Sequence, residues 1–152
     1  MPGIINIMEP IHILLAEDNE GDILLTREAF ANSKILVNLS IVKDGKEAID
    51  FLTKEGAHTN SLPPDLILLD INLPKQNGHE VLQFIKEHEA FKHIPVMMLT
   101  TSSFDKDITS CYKNHVNCYI IKPVEVEAFM AVINEIESFW ISIVKLPVKI
   151  NV

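Results

Sequence analysis

The sequence predicts a doubly wound α/β fold, in which five strand–helix units build a parallel sheet with helices on both faces. Short apolar runs alternate along the chain with longer amphipathic stretches, which is the pattern of βαβ units. Most of the apolar runs are continuous, as expected of strands that are buried on both faces. The length of 152 residues fits one such domain.

The predicted elements follow one another without a repeat or an internal linker. The predicted strands are 11–16, 36–42, 66–69, 96–99 and 118–121. The first helix is expected over 22–32, with Ile23, Arg27 and Phe30 on one side. Turn signals at 44–45 and 76–78 precede the second and third helices.

The last two helices are predicted from their apolar spacing. The fourth follows Asp105, and its apolar positions are Ile108, Cys111 and Tyr112. The fifth has the i, i+3, i+4, i+7, i+11 spacing of an amphipathic helix. Its members are Phe129, Val132, Ile133, Ile136 and Trp140. We therefore expect an N-terminal extension over 1–10, one domain over 11–140 and a C-terminal tail over 141–152.

Composition disfavours several classes of function. Lys and Arg number 13 against 21 Asp and Glu, a net charge of −8, which disfavours binding to nucleic acid or to anionic lipid. No apolar run approaches the roughly 20 residues of a membrane-spanning helix. The first ten residues lack the pattern of a secretion signal, so we expect a cytoplasmic protein. Cys111 and Cys118 do not form a disulfide framework and are expected to be reduced core thiols.

Polar side chains stand directly after four of the predicted strands. Glu17 and Asp18 follow the first strand, Asp70 the third, Thr100 the fourth and Lys122 the fifth. In open parallel sheets, ligands bind at the carboxyl ends of the strands, where the strand order reverses. With the strand order 2-1-3-4-5, the first and third strands are neighbours astride that point. We therefore expect these five side chains to converge in one crevice.

The residue types in this crevice indicate phosphoryl transfer to a carboxylate. Three crowded carboxylates repel one another, so a cation must be part of the site. Oxygen ligands suit Mg²⁺, and no His or Cys spacing suggests zinc. The Lys122 ammonium and the Thr100 hydroxyl can hold phosphoryl oxygens while a carboxylate attacks in line.

In this order and at these intervals, the five residues resemble the response-regulator receiver domain of two-component signalling. The resemblance runs from about residue 11 to residue 140 and implies a flavodoxin-like (βα)5 sandwich. It implies that Asp70 accepts a phosphoryl group from a histidine kinase or a phosphotransfer protein. It also implies that Mg²⁺ is bound by Asp18, by Asp70 and by the backbone carbonyl of Asn72, with Glu17 acting through water.

The resemblance assigns roles to further positions. Thr100 should bond to the phosphoryl group and Lys122 should pair with it. The Lys122–Pro123 bond is expected to be cis, a form that X–Pro bonds tolerate far better than others. Tyr119 matches the switch aromatic, which swings inward when Thr100 moves toward the phosphate. Asn72 and Ser102 occupy the positions that tune the lifetime of the phosphoryl group.

Three segments indicate a narrower resemblance within the family. The loop over 58–64 is longer than in a minimal receiver, and the segment 115–119 and the tail after residue 136 are also distinctive. Together they are similar to the stand-alone receivers that partner phytochrome kinases. The implied partners are a phytochrome-type sensor histidine kinase and a downstream protein target. The tail either packs on the domain or builds a homodimer.

Two other classes of function use a similar scaffold. An Mg²⁺-dependent phosphohydrolase with an aspartyl intermediate usually has a second acid two residues after its nucleophile, where Asn72 offers an amide that cannot transfer a proton. A flavodoxin-like FMN carrier needs a hydroxyl- or glycine-rich phosphate loop after the first strand. Glu17 and Asp18 at that place would repel phosphate.

Overall fold

The sheet has five parallel strands in the order β2-β1-β3-β4-β5, which confirms the predicted fold class. The structure is a computed structural model that describes residues 10–33, 35–141 and 145–147. The strands are β1 (Ile11–Ala16), β2 (Val37–Val42), β3 (Leu66–Leu69), β4 (Val96–Thr100) and β5 (Cys118–Ile121). The helices are α1 (Glu20–Ala31), α2 (Gly45–Thr53), α3 (Gly78–Glu87), α4 (Asp105–Lys113) and α5 (Val126–Ile136).

Alternate residues of each central strand face two separate cores. In β1, Leu14 and Ala16 pack with α2 and α3, whereas Ile13 and Leu15 pack with α1 and α5. This alternation follows from the two-residue period of a strand. Every residue of β3 and β4 is buried, because helices cover both faces of these inner strands. Their continuous apolar sequences were therefore a correct signal of a parallel sheet.

Helix α1 begins earlier than the sequence suggested, and its buried face is partly different. Its N-cap is Asn19, whose side chain accepts a hydrogen bond from the Asp22 amide at 2.9 Å. Arg27 was expected on the apolar side but is exposed, so that prediction was wrong. Thr26 takes the buried position, since its hydroxyl donates to the Asp22 carbonyl at 2.7 Å and thereby satisfies its polar atom.

The chain after α5 departs from a single regular helix. A π-helical segment over Glu137–Ile141 follows directly, so Trp140 is not reached by the regular 3.6-residue spacing. Trp140 still packs against the core beneath α1 and α5, and Phe139 is about half exposed. Of the predicted extension over 1–10, all but residue 10 lies outside the described residues, as does most of the predicted tail. No helix within the described ranges is long and apolar enough to span a bilayer.

The loop after β3 is held by a close backbone contact at Gly78. The Gly78 amide donates to the Ile71 carbonyl at 2.8 Å. A Cβ atom at this position would lie 2.3 Å from the carbonyl oxygen of Asp70 and 2.6 Å from the Ile71 Cα. Backbone atoms cannot move aside as a flexible side chain does. Glycine is therefore required for α3 to begin against the residue that follows β3.

We expect Gly78→Ala to lower the free energy of unfolding by about 2–4 kcal/mol, because the added methyl overlaps backbone atoms. Urea unfolding followed by circular dichroism measures this loss. Gly56→Ala is the control: Gly56 has a φ of +60° but open space around it, so only the left-handed backbone cost of about 1–2 kcal/mol applies. Equal losses in the two variants would contradict the close-contact explanation.

Candidate functional site

Backbone hydrogen bonds bring the ends of four strands to one edge of the sheet. The Asp70 amide donates to the Ala16 carbonyl at 3.1 Å, which ties the end of β3 to the end of β1. The Lys122 amide donates to the Thr100 carbonyl at 2.7 Å, which ties the end of β5 to the end of β4. The residues that follow these strands therefore meet in one crevice. The structure brings together the five side chains that sequence reasoning selected: Glu17, Asp18, Asp70, Thr100 and Lys122.

The ammonium group of Lys122 is at the centre of the crevice. Its Nζ atom donates to Glu17 Oε1, to Asp22 Oδ2 at 2.9 Å and to Asp70 Oδ2 at 3.1 Å. The side chain is only 5% exposed. A lysine has three N–H donors, and here each one has a carboxylate acceptor. The lysine is therefore fixed by charge-assisted hydrogen bonds and not by apolar packing alone.

Three carboxylates form a cluster that fits a divalent cation. Oxygen atoms of Glu17, Asp18 and Asp70 lie within 4.8 Å of one another. Glu17 and Asp70 are buried, whereas Asp18 is exposed and gives access from solvent. One lysine cannot balance the charge of three carboxylates. Oxygen ligands and excess negative charge are what a hard divalent cation requires.

Backbone amides orient two of these carboxylates. Glu17 Oε2 accepts from the Asp18 amide at 3.0 Å and from the Asn19 amide at 3.3 Å. Asp70 Oδ1 accepts from the Asn72 amide at 3.2 Å. The structure thus shows Asn72 bonded to Asp70 through its N–H, and the Asn72 side chain is exposed. The ligand role of the Asn72 carbonyl remains a prediction.

The pKa values of Glu17 and Asp70 shift in opposite directions, although burial opposes ionisation of both. Desolvation raises the pKa of Glu17 to about 7, because it outweighs the hydrogen bond from Lys122, and the charge of Asp70 adds to the rise. Desolvation also opposes ionisation of Asp70. There, however, the charge of Lys122 and a hydrogen bond with Thr100 prevail and lower the pKa of Asp70. Asp70 is therefore the carboxylate that this environment keeps ionised.

A second hydrogen-bonded group adjoins the crevice at the loop after β4. Tyr119, partly buried against the core, donates its hydroxyl to the Ser102 carbonyl at 2.9 Å. Ser102 Oγ donates to Asp107 Oδ2 at 2.5 Å, and His79 Nε2 lies 2.9 Å from Asp107 Oδ1. These hydrogen bonds lower the pKa of Asp107. The loop that follows Thr100 is thus linked to β5, to α4 and to α3.

Sequence reasoning missed two parts of this arrangement and was wrong about one. Asp22 was placed only near a helix start, although an N-cap at Asn19 would have put it on the first turn beside the crevice. The contact between His79 and Asp107 joins residues of two different helices and has no local signal. The Lys122–Pro123 bond is trans, as are all peptide bonds in the described ranges. The expectation of a cis bond was therefore wrong. Trans is the lower-energy form of X–Pro bonds, and the lysine reaches its carboxylates without the cis form.

Comparison with known proteins identifies the class to which this fold and site belong. The family model of the response regulator receiver domain matches residues 13–134. The chain therefore belongs to the receiver domain family of response regulators.

Individual relatives agree with this assignment. The response regulator Rcp1 of Synechocystis sp. is 44% identical over 138 residues, which cover 91% of this chain and 94% of Rcp1. The phosphorylated cyanobacterial phytochrome response regulator RcpA has a similar structure, with a TM-score of 0.90 and 45% identity over 92% of this chain and all of RcpA. The Mn²⁺-bound form of Rcp1 gives a TM-score of 0.89 with 44% identity, covering 91% of this chain and all of that one. The predicted resemblance to phytochrome-associated stand-alone receivers is thereby confirmed.

The raised pKa of Glu17 predicts how stability changes with pH. The folded protein keeps a proton on Glu17 up to about pH 7, whereas the unfolded chain releases it near the ordinary value of 4.5. Folding therefore binds a proton between these values, and stability falls as pH rises through that window. The loss through this group is about 2–3 kcal/mol.

Urea unfolding in a buffer with a metal chelator, at pH 5 and at pH 8, measures this loss. Glu17→Gln should remove this part of the pH dependence. Glu28→Gln, at an exposed position of α1, should leave it unchanged. The assignment is wrong if Glu17→Gln and the wild type lose the same stability between the two pH values.

Proposed function

We propose that this protein is a single-domain response regulator that accepts a phosphoryl group on Asp70 from a histidine kinase or a phosphotransfer protein. The observation that supports this most directly is the contact between Lys122 and a buried, ionised Asp70 inside a three-carboxylate cluster. The carboxylate supplies the nucleophile, and the ammonium supplies the positive charge that an incoming phosphoryl group needs. The residues of the family pattern surround the same carboxylate.

The proposed step is an in-line displacement. An oxygen of Asp70 forms a bond to phosphorus while the bond from phosphorus to the donor histidine nitrogen breaks, and the electron pair stays on that nitrogen. Lys122 lies 3.1 Å from Asp70 Oδ2 and can pair with the phosphoryl oxygens. The Thr100 side chain is buried near Asp70 and helps to lower the pKa of that carboxyl group, so its hydroxyl can donate to the phosphoryl group.

We propose Mg²⁺ as the cation of this site. Asp18, Asp70 and the Asn72 carbonyl would hold it directly, and Glu17 would act through water. When bound, Mg²⁺ neutralises charge on the phosphoryl oxygens. The Mn²⁺-bound form of Rcp1 supports the binding of a divalent cation by this chain, and the oxygen ligands of the cluster suit Mg²⁺.

The partners form part of the same proposal. The similarity to a phytochrome response regulator supports a phytochrome-type histidine kinase as the phosphoryl donor in the cytoplasm. Output would pass to a downstream protein target through the surface around β5, whose Tyr119 is bonded to the loop after Thr100. An apolar groove of about 480 Å³ is lined by β5, α5 and the π-helical segment. Either the predicted tail over 141–152 packs on the domain over 11–140 and covers this groove, or a second copy of the chain covers it in a homodimer.

The central prediction is that acetyl phosphate with Mg²⁺ adds one labile phosphoryl group, observed by intact mass spectrometry. Asp70→Asn should abolish the adduct, because an amide is a far weaker nucleophile than a carboxylate. Asp50→Asn makes the same chemical change on the surface of α2 and should keep the adduct. A purified phytochrome-type histidine kinase should label the same residue.

Two results would overturn the proposal. One is the absence of an adduct with both acetyl phosphate and the kinase. The other is fast multiple turnover of many phosphate esters, which would indicate the alternative phosphohydrolase.

The link between Tyr119 and the loop after β4 predicts a change in dynamics. Tyr119→Phe removes the hydroxyl that bonds to the Ser102 carbonyl, so amides of the loop 101–104 should exchange about threefold to tenfold faster. Hydrogen exchange with mass spectrometry measures this. Tyr112→Phe is the control, because Tyr112 is exposed on α4. Equal exchange in the two variants would contradict a role for Tyr119 in holding this loop.

A further inference from the structure

Asp22 differs from the other carboxylates that contact Lys122. Glu17 and Asp70 contact the lysine and also belong to the three-carboxylate cluster. Asp22 contacts the same Nζ atom at 2.9 Å but is not a member of that cluster. Its side chain is 27% exposed, and among the described residues its carboxylate is hydrogen-bonded to this lysine alone. Asp22 therefore accepts a hydrogen bond from Lys122 but does not belong to the cluster that could hold a cation.

Lys122 and a divalent cation would compete for the same carboxylate groups. Two of the three acceptors of the ammonium also belong to the proposed cation site, Asp70 as a direct ligand and Glu17 through water. Two positive charges beside the same pair of carboxylates also repel each other, most strongly where water is largely excluded. A stronger hold of Lys122 on Glu17 and Asp70 would therefore weaken binding of the cation.

The position of Asp22 is set by the first turn of α1. Its amide donates to the N-cap side chain of Asn19 at 2.9 Å, and its carbonyl accepts the Thr26 hydroxyl at 2.7 Å. Neither contact uses the carboxylate. The backbone is thus held independently, and the carboxylate is presented to Lys122 from the helix side of the crevice.

We propose that Asp22 is a positioning residue that holds the Lys122 ammonium toward α1 and so leaves Glu17 and Asp70 available to a divalent cation. The inference rests on the cation site of the proposed function. Through this contact, α1 determines how strongly the phosphorylation site binds its cation. Removing the carboxylate of Asp22 lets Lys122 settle on Glu17 and Asp70, which a cation must then displace.

The test is a calorimetric titration of the full chain with MgCl₂. Asp22→Asn, which keeps the size of the side chain, should raise the dissociation constant about threefold to tenfold, the range expected for a partly buried ion pair. Glu20→Gln is the matched control. Glu20 lies on the same turn, pairs with Lys43 and is 72% exposed, so its removal changes the helix charge equally without touching Lys122. It should leave the dissociation constant within about twofold of the wild type.

A double-mutant cycle separates an effect through Lys122 from a direct effect of charge. Lys122→Gln should tighten cation binding, because it removes the competing ammonium. In that background, Asp22→Asn should have no further effect if it acts through the lysine. Urea unfolding of each variant checks that the chain is folded, and Asp22→Ala provides a second test should Asp22→Asn prove unstable.

Three outcomes overturn the inference. They are an unchanged dissociation constant in Asp22→Asn, an equal change in Glu20→Gln, and a full Asp22→Asn effect in the Lys122→Gln background. In each of them the wild type still binds the cation and accepts a phosphoryl group, so the proposed function is intact. A wild type that binds no divalent cation would instead overturn the cation site and the inference together.

Discussion

The site depends on one interaction: a buried ammonium group surrounded by carboxylates. Lys122 could not be held with so little exposure unless each of its N–H groups had an acceptor, because an unpaired buried charge is very costly. Equally, the positive charge of Lys122 favours the ionised forms of Glu17 and Asp70 and so lowers the cost of burying the two carboxyl groups beside one another. The parallel sheet makes this possible, since it delivers residues distant in sequence to one edge. The backbone hydrogen bonds from Asp70 to Ala16 and from Lys122 to Thr100 align the ends of the strands that carry these residues.

The same edge is where prediction from sequence succeeded best. Most of the strands are short and almost continuously apolar, and this pattern has few explanations besides a sheet covered on both faces. Once the strands are located, the residues that follow them must lie together, so Asp70 and Lys122 could be placed in one crevice without a structure. What the sequence could not show is geometry that depends on packing between helices. The contact between His79 and Asp107 exists only because α3 and α4 are neighbours.

The failures have equally specific causes. Asp22 was overlooked because the predicted helix began at Asp22 itself, whereas the N-cap of α1 is Asn19. With the helix beginning at the correct residue, Asp22 lies on the first turn, beside the crevice. Arg27 was placed inside because a strict helical spacing includes it, yet the satisfied hydroxyl of Thr26 makes a threonine the better buried residue. The regular spacing through Trp140 concealed the π-helical segment, because apolar positions can face the core at either pitch.

The interior is divided into two cores, one on each face of the sheet, and the site has contacts on both faces. One core contains the inner faces of α1 and α5, and the other contains those of α2 and α3. On the face of α1 and α5, Lys122 contacts Asp22 of α1. On the opposite face, Ser102 in the loop after Thr100 contacts Asp107 of α4. The side chains around Asp70 are therefore connected by hydrogen bonds to helices on both faces of the sheet. A change in the position of the Asp70 carboxylate would alter contacts on both faces.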